Sequence, residues 1–381
     1  MAKSPRDVLV VGAGVFGIWT AVHLHRAGKR VTIIDDTGPA HSGASSGGES
    51  RVTRCGYGAE DLYTEWADRS MTEWRDLSER GGLPLFHETG VLWIHPDGDP
   101  FVDATARTLA RHDVPHERLA ARELRARYPV LRLSDDEAAL FEPRGGALMA
   151  RRAVQTLAAE LVAGGVELVQ AAAQPVRTSD GVAGALPSVR TVEGETLVAE
   201  AFLFACGSRL DHVCPDALAG RLFATRQEVV YFSAGRAATG MLPVWFDLPF
   251  YGFPSLEGRG FKVADDTHGP PADPAGIDRL VGAETVDRAR DLIARRFPSL
   301  SGRPVSETRV CQYANSSNGD FVIDRHPGLE NVWLVGAGSG HGFKHGPAVG
   351  AHVAGLLLGT EAPIERFGLA GKGTRQERGI Q

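Results

Sequence analysis

The sequence predicts an α/β fold in two domains assembled from discontinuous segments, one built on βαβ units and the other on mixed or antiparallel sheet. Three observations carry that expectation. Residues 7–36 run strand, glycine turn, helix, strand. Near the other end, NVWLVGAGSGHGFKHGP (331–347) repeats a strand and a glycine-rich turn before a second helix. Between them, 226–262 carries short strand-like runs (EVVYFS, PVWFDL, YGFPS, then RGFKVAD) with no helical spacing.

The elements follow in order. DVLVV is a continuous apolar run of the buried parallel-strand kind. Gly12 to Gly17 make the turn, Ile18 to Ala27 form a helix closed by Gly28, and Arg30 to Asp35 form the next strand. The Gly/Ser-rich loop GPAHSGASSGGES follows directly behind this unit. Leu62, Trp66, Met71 and Trp74 space a helix over 61–80, and 86–143 alternates short strands with charged helical pieces. Another helix spans Ala150 to Gly164, and EGETLVAEAFLFACG ends in a second buried strand and glycine turn. A helix over 284–296 precedes the closing unit, in which Pro347 suits a helix's first turn because no N–H is required there. The division expected is 1–85, 145–225 and 320–381 for the βαβ domain, with 86–144 and 226–319 forming the other.

Bulk properties exclude several classes. The 381 residues exceed one ordinary domain, and 43% hydrophobic residues supply ample core. A net charge of -6 leaves no basic surplus for nucleic acid. The longest apolar runs, 331–338 and 353–358, are too short to span a bilayer. MAKSPRDVLVVGAG lacks the order of a signal peptide, and Cys55, Cys206, Cys214 and Cys311 are scattered without metal-type spacing. Reduced thiols, no metal and a cytoplasmic address are expected.

GxGxxG alone is a weak pattern. Here Gly12, Gly14 and Gly17 follow a strand and open a helix, and Asp35 ends the next strand eighteen residues beyond Gly17. That context marks a Rossmann-like dinucleotide site rather than a turn that merely uses glycine. Gly12 permits the tight turn, Gly14 lets the backbone approach a pyrophosphate, and Gly17 lets helix and strand pack closely. Val15 and Phe16 lie within the turn, ahead of the helix whose N-terminal N–H groups meet the phosphates. Asp35, with Asp36 beside it, is placed for a ribose hydroxyl. The fingerprint does not separate FAD from NAD. One complete fingerprint and a large intervening region favour a resident flavin.

Three segments together resemble the monomeric sarcosine oxidase and N-methyltryptophan oxidase family, within the D-amino-acid-oxidase superfamily of flavoproteins. They are SSGGESRVTRCGYG (45–58), YGFPSLEGRGFK (251–262) and CQYANSSNGDFVIDRHPGLENVWLVGAGSGHGFKHGP (311–347). With the fingerprint, the resemblance spans essentially the whole chain. It implies an FAD-binding domain and a sheet-rich substrate domain covering the flavin. It also implies a cofactor shell that adds Ser45, Ser46, Arg51 and Val176 to the fingerprint residues. Gly338, Gly340, His341, Gly342, Phe343 and Lys344 complete that shell from the SGHGFK turn.

By the same resemblance Cys311 carries FAD through an 8α thioether; taken alone it reads as a small buried apolar residue. Lys262 matches the lysine that activates oxygen, a fixed cation beside a developing superoxide charge. Arg54 and Lys344 match the two cations that clamp a substrate carboxylate, and Tyr251 matches an active-site tyrosine. Two positions depart from the pattern. Gly47 and Asp266 stand where sarcosine oxidases carry histidines, with His268 near the second. These changes lie on the substrate side and turn the reading away from sarcosine itself. They leave room at Asp266 for a cationic or hydroxylated group.

The implied activity is oxidation of a secondary amine bearing a carboxylate, N-methyl or cyclic, by a monomeric enzyme that binds neither nucleic acid nor membrane. O₂ is the implied acceptor, giving H₂O₂. An oxidase or dehydrogenase of a cyclic imino acid in a biosynthetic pathway, with another acceptor, would share every feature except oxygen reactivity.

Overall fold

The computed structural model of the protein describes residues 6–178, 184–218, 220–235 and 240–376. Its first layer is a six-stranded sheet in the order Val322–Arg325, Val332–Gly336, Ala199–Phe204, Arg6–Val11, Val31–Asp35, Glu167–Gln170. The pairings are parallel except for the outermost one, Val322–Arg325 against Val332–Gly336. Alternation along the strands divides their side chains between two cores. Val8, Val10 and Ile33 meet the helices Val15–Arg26, Ala150–Ala163 and Gly346–Leu358, while Leu9, Val11 and Ile34 pack with Phe202, Phe204 and Leu218 behind the sheet.

The first helix starts at Val15 with Gly14 as its N-cap, three residues earlier than the apolar spacing places it, so the fingerprint's own residues form its first turn. Gly28, at φ +78°, occupies the left-handed region that closes the unit.

The second sheet has eight strands, in the order Val305–Asn315, Phe223–Phe232, Phe261–Asp265, Phe250–Phe253, Val244–Asp247, Val91–Pro96, Glu137–Glu142, Glu117–Ala120. It is mixed, because Val244–Asp247 pairs parallel with Val91–Pro96 while its other pairings are antiparallel. One face is covered by the helix Ala283–Arg296, whose Leu292 and Ile293 join Phe261 and Val263 in a separate core. The other face carries Tyr231, Lys262, Ala264 and Tyr251.

A small three-stranded sheet, Ser50–Thr53, Gly146–Met149 and Phe86–His87, joins the two units. It draws the loop behind the second strand into extended backbone, which brings Arg51 and Arg54 between the sheets. Among the described residues no helix is long and apolar enough to cross a membrane. The four cysteines are unbridged.

Candidate active site

A cleft of about 310 Å³ opens at the carboxyl ends of the parallel strands, the place where open α/β sheets bind ligands. Gly12, Gly14, Val15 and Phe16 form its floor, and Asp35 and Asp36 lie at the end of the second strand. Ser45, Ser46 and Arg51 close one side, and Gly338, Gly340, Gly342 and Phe343 close the other. A smaller cavity of about 60 Å³ continues from it, sharing Arg51, Tyr313, Ser339, Gly340 and Phe343, and adding Arg54, Phe246, Tyr251, Asp266, His268, His341 and Lys344.

Two buried cations define the small cavity. Arg54 lies between the rings of Tyr57 (4.4 Å) and Trp93 (4.6 Å), and its guanidinium donates to the Gly56 carbonyl. Lys344 Nζ donates to the His341 carbonyl at 3.0 Å and stands 4.7 Å over the same Tyr57 ring. Burial, reinforced by Arg54, pulls the Lys344 ammonium well below its ordinary range. Beyond them, Glu142 accepts N–H bonds from Cys55 (2.7 Å) and Gly56 (3.2 Å) and from the Trp93 indole (2.8 Å). Across the cavity, Tyr313 donates to Asp266 Oδ1 at 2.9 Å, and the Tyr251 and Tyr313 hydroxyls are hydrogen-bonded to one another.

Lys262 lies behind this wall, on the sheet face. Its Nζ donates to Ser50 O (3.0 Å) and Oγ (3.1 Å) and sits 4.3 Å over Phe253. Burial first, then Arg51, lowers its ammonium to about 7. Arg51 donates to Ser45 O at 2.9 Å and to Cys311 Sγ at 3.2 Å, so one guanidinium bridges the loop and the strand Val305–Asn315.

Residues 7–356 match the family described as FAD dependent oxidoreductase. The chain belongs to that family. It is 32% identical over 387 residues to the monomeric sarcosine oxidase of Streptomyces avermitilis, covering 95% of this chain and 96% of the relative. Against the monomeric sarcosine oxidase of Bacillus sp. (strain NS-129) the identity is 30% over 383 residues, with 95% and 96% covered. The solved structure of L-proline dehydrogenase from P. horikoshii superposes with a TM-score of 0.83 at 20% identity, covering 96% of this chain and 97% of that one, a likeness of fold.

The cleft suits the FAD of this family. A Cβ on Gly12, which sits at φ +107°, would lie 2.5 Å from the Ala205 carbonyl, and one on Gly342 would lie 2.7 Å from Gly338 Cα. At both positions along the cleft the neighbouring backbone leaves room only for glycine. Ser45 Oγ and Gln312 Oε1, both on cleft-lining residues, are buried with no hydrogen-bond partner among the described residues, polar atoms of the kind a bound dinucleotide satisfies.

Several positions differ from the sequence expectation. Val176 does not line the cleft; its N–H pairs with the Val213 carbonyl at 2.7 Å and its side chain enters the core behind the sheet. Ala171, Ala172 and Ala173, immediately after the strand Glu167–Gln170, form that wall instead. Gly17, in the packing role expected of it, stays out of the cleft lining; its Cβ would fall 2.0 Å from Gly12 O. Asp35 already accepts the N–H groups of Ala13 (2.8 Å), Thr37 (3.1 Å) and Gly38 (2.8 Å), so it fixes the turn as well as facing the cleft. At Gly47 a Cβ would lie 1.9 Å from His41 O, which leaves no room for a histidine in this turn. Cys311 and Lys262 stand just outside the two cavity walls, and His345 is buried against the Tyr57 hydroxyl at 2.7 Å.

Tyr57, Glu142 and Tyr313 were not singled out from sequence. Tyr313 carried a usable signal: it lies two residues after Cys311 in a strand, hence on the same face.

Proposed function

We propose that this flavoprotein oxidises a secondary amino acid, N-methyl or cyclic, with Arg54 and Lys344 holding the substrate carboxylate. The observation that carries the reading is this pair of buried cations lining the small cavity that continues from the FAD cleft. Among the described residues neither is paired with an acid: their hydrogen bonds go to the Gly56 and His341 carbonyls. A guanidinium and an ammonium on one carboxylate fix its orientation, and the small volume excludes water from the neighbouring carbon. FAD, when bound, accepts the hydride and passes the electrons to O₂. The names of the sarcosine oxidase relatives support the same class of substrate and a monomeric state here.

Lys262 is assigned to the oxygen side, where a cation on the sheet face stabilises negative charge arising during reoxidation. Cys311 is assigned to a thioether with the flavin 8α position; its hydrogen bond from Arg51 supports that placement. The test of function is peroxide release with a panel of sarcosine, other N-methyl amino acids, L-proline and L-pipecolate. Turnover with an artificial acceptor is compared alongside, to distinguish an oxidase from a dehydrogenase. No oxidation of any panel member by either acceptor would end the proposal. Acid denaturation tests the tether separately: the yellow colour stays with the polypeptide if the bond forms and is released if it does not.

A further inference from the structure

Asp266 follows the strand Phe261–Asp265, where alternation puts it on the same sheet face as Lys262 and Ala264. Its N–H is anchored to the Pro249 carbonyl at 2.8 Å, and its carboxylate lines the small cavity. Among the described residues it makes no ion pair, and Tyr313 is its one side-chain donor. Charges withdrawn from water are normally matched. This cavity instead places Arg54 and Lys344 on one side and Asp266 on another, not paired with one another, while its third cation, Arg51, is engaged by the Ser45 carbonyl and Cys311 Sγ; the pattern is complementary to a zwitterion.

We infer that Asp266 receives the protonated amine nitrogen of a zwitterionic amino acid and takes its proton before oxidation. The inference rests on the proposed function and narrows it to substrates that bind with the nitrogen charged. The balance is simple. An N–H bond of R₂NH₂⁺ breaks and its proton goes to the Asp266 carboxylate, leaving the nitrogen lone pair. The adjacent C–H bond then breaks, its hydrogen leaving as hydride with the electron pair for the oxidised cofactor to accept, while the nitrogen lone pair forms the C=N bond of an iminium. Hydride, the Asp266 proton and O₂ together make one H₂O₂.

The surroundings set the pH range. Loss of water around the carboxyl raises it to about 6, opposed by the Tyr313 hydroxyl and by Arg54 and Lys344, and aided by Asp265. Arg51, Tyr251, His268 and His341 also border the cavity. The base is thus ionised above about 6 and lost below it.

The experiment uses the flavin-loaded enzyme, whichever panel substrate it oxidises best, and (methylthio)acetate, in which sulfur replaces the charged nitrogen. Asp266→Asn should lower kcat/KM by about 100-fold or more at neutral pH and abolish the fall on the acid side. Binding of the amino acid, read as flavin absorbance change without O₂, should weaken while (methylthio)acetate binding holds. Unchanged acid limb and unchanged relative binding in Asp266→Asn would overturn the inference. Should that variant not hold flavin, Tyr313→Phe decides: removing the hydroxyl should move the acid limb to higher pH, and an unmoved limb overturns it. The outcomes are separable, because absence of any oxidation by the unaltered enzyme counts against the function, whereas the binding ratio reads Asp266 directly.

Discussion

Glu142 is a buried carboxylate whose two oxygens take three N–H groups, from Cys55, Gly56 and Trp93. It thereby fixes both the turn that follows Arg54 and the indole on which Arg54 lies. Glu142→Gln replaces an acceptor by an NH₂ facing a donor. The expected cost is about 1–3 kcal/mol, read by thermal unfolding. A rise in KM for the carboxylate substrate should accompany it, larger than the change in kcat; an unchanged KM would show that Arg54 needs no such support. Lys262 gives a second prediction. Its folded value near 7 lies below the ordinary 10.5, so the ammonium is charged at low pH and loses its charge as pH rises through 7. Reoxidation by O₂ should therefore slow above pH 7. Lys262→Met should slow it about 100-fold or more at all pH values while leaving anaerobic reduction by substrate nearly intact, as stopped-flow absorbance would show. Equal loss in both half-reactions would place Lys262 elsewhere in the chemistry. Roles of this kind were legible for residues inside motifs. Glu142 was not, because it lies in FEPRGG, far along the chain from the turn it holds, and nothing local marks a carboxylate that will be buried.

At the scale of elements, the glycine pattern made the first βαβ unit readable, whereas the packing of its helix was set from a distance. Gly346 and Gly350 of the last helix face Trp19 of the first; a Cβ at Gly350 would lie 2.6 Å from the Trp19 carbonyl carbon and one at Gly346 would lie 2.6 Å from Val15 Cγ2. The two helices thus approach backbone to backbone at the end that borders the cleft. Gly350→Ala must push them apart, at a cost of about 1–3 kcal/mol. It should lower the thermal midpoint and increase flavin loss on dilution, measured by free-flavin fluorescence; if the tether forms, weaker absorbance structure replaces flavin loss as the readout. A midpoint equal to that of the unaltered protein would mean that the interface relaxes without strain. Pro347 marked where Gly346–Leu358 begins, but the helix is apolar nearly all round. Its contact face therefore could not be read from one-sided patterning.

On the scale of the whole molecule, the hardest feature to foresee was the small sheet of Ser50–Thr53, Gly146–Met149 and Phe86–His87, whose strands are two to four residues long and distant in sequence. Short strands carry little periodicity, and their pairing is decided by the two large sheets they connect. The eight-stranded sheet has its own long-range fastener. Arg296, at the end of the helix Ala283–Arg296, donates to Glu137 (2.6 Å and 2.9 Å), to Asp247 (3.0 Å and 3.1 Å) and to the Arg132 carbonyl (2.9 Å). It ties that helix to two strands of the eight-stranded sheet. Its hydrogen bonds hold the Glu137 carboxyl at about 2, against an ordinary 4.5. A depressed acid stabilises the fold fully above its unfolded value, and that contribution disappears as pH falls from about 4.5 toward 2. Arg296→Leu leaves Glu137 partly buried without its cation and Asp247 with only the longer contact to Arg295 (3.5 Å), which at pH 7 should cost about 3–5 kcal/mol. Protonation relieves Glu137, so the gap between the unaltered protein and Arg296→Leu should be widest near neutrality and should narrow through that acid window. Urea midpoints at pH 7, 4 and 3 measure it. A gap of constant size across those pH values would assign the loss to packing around the Arg296 side chain rather than to the ion network.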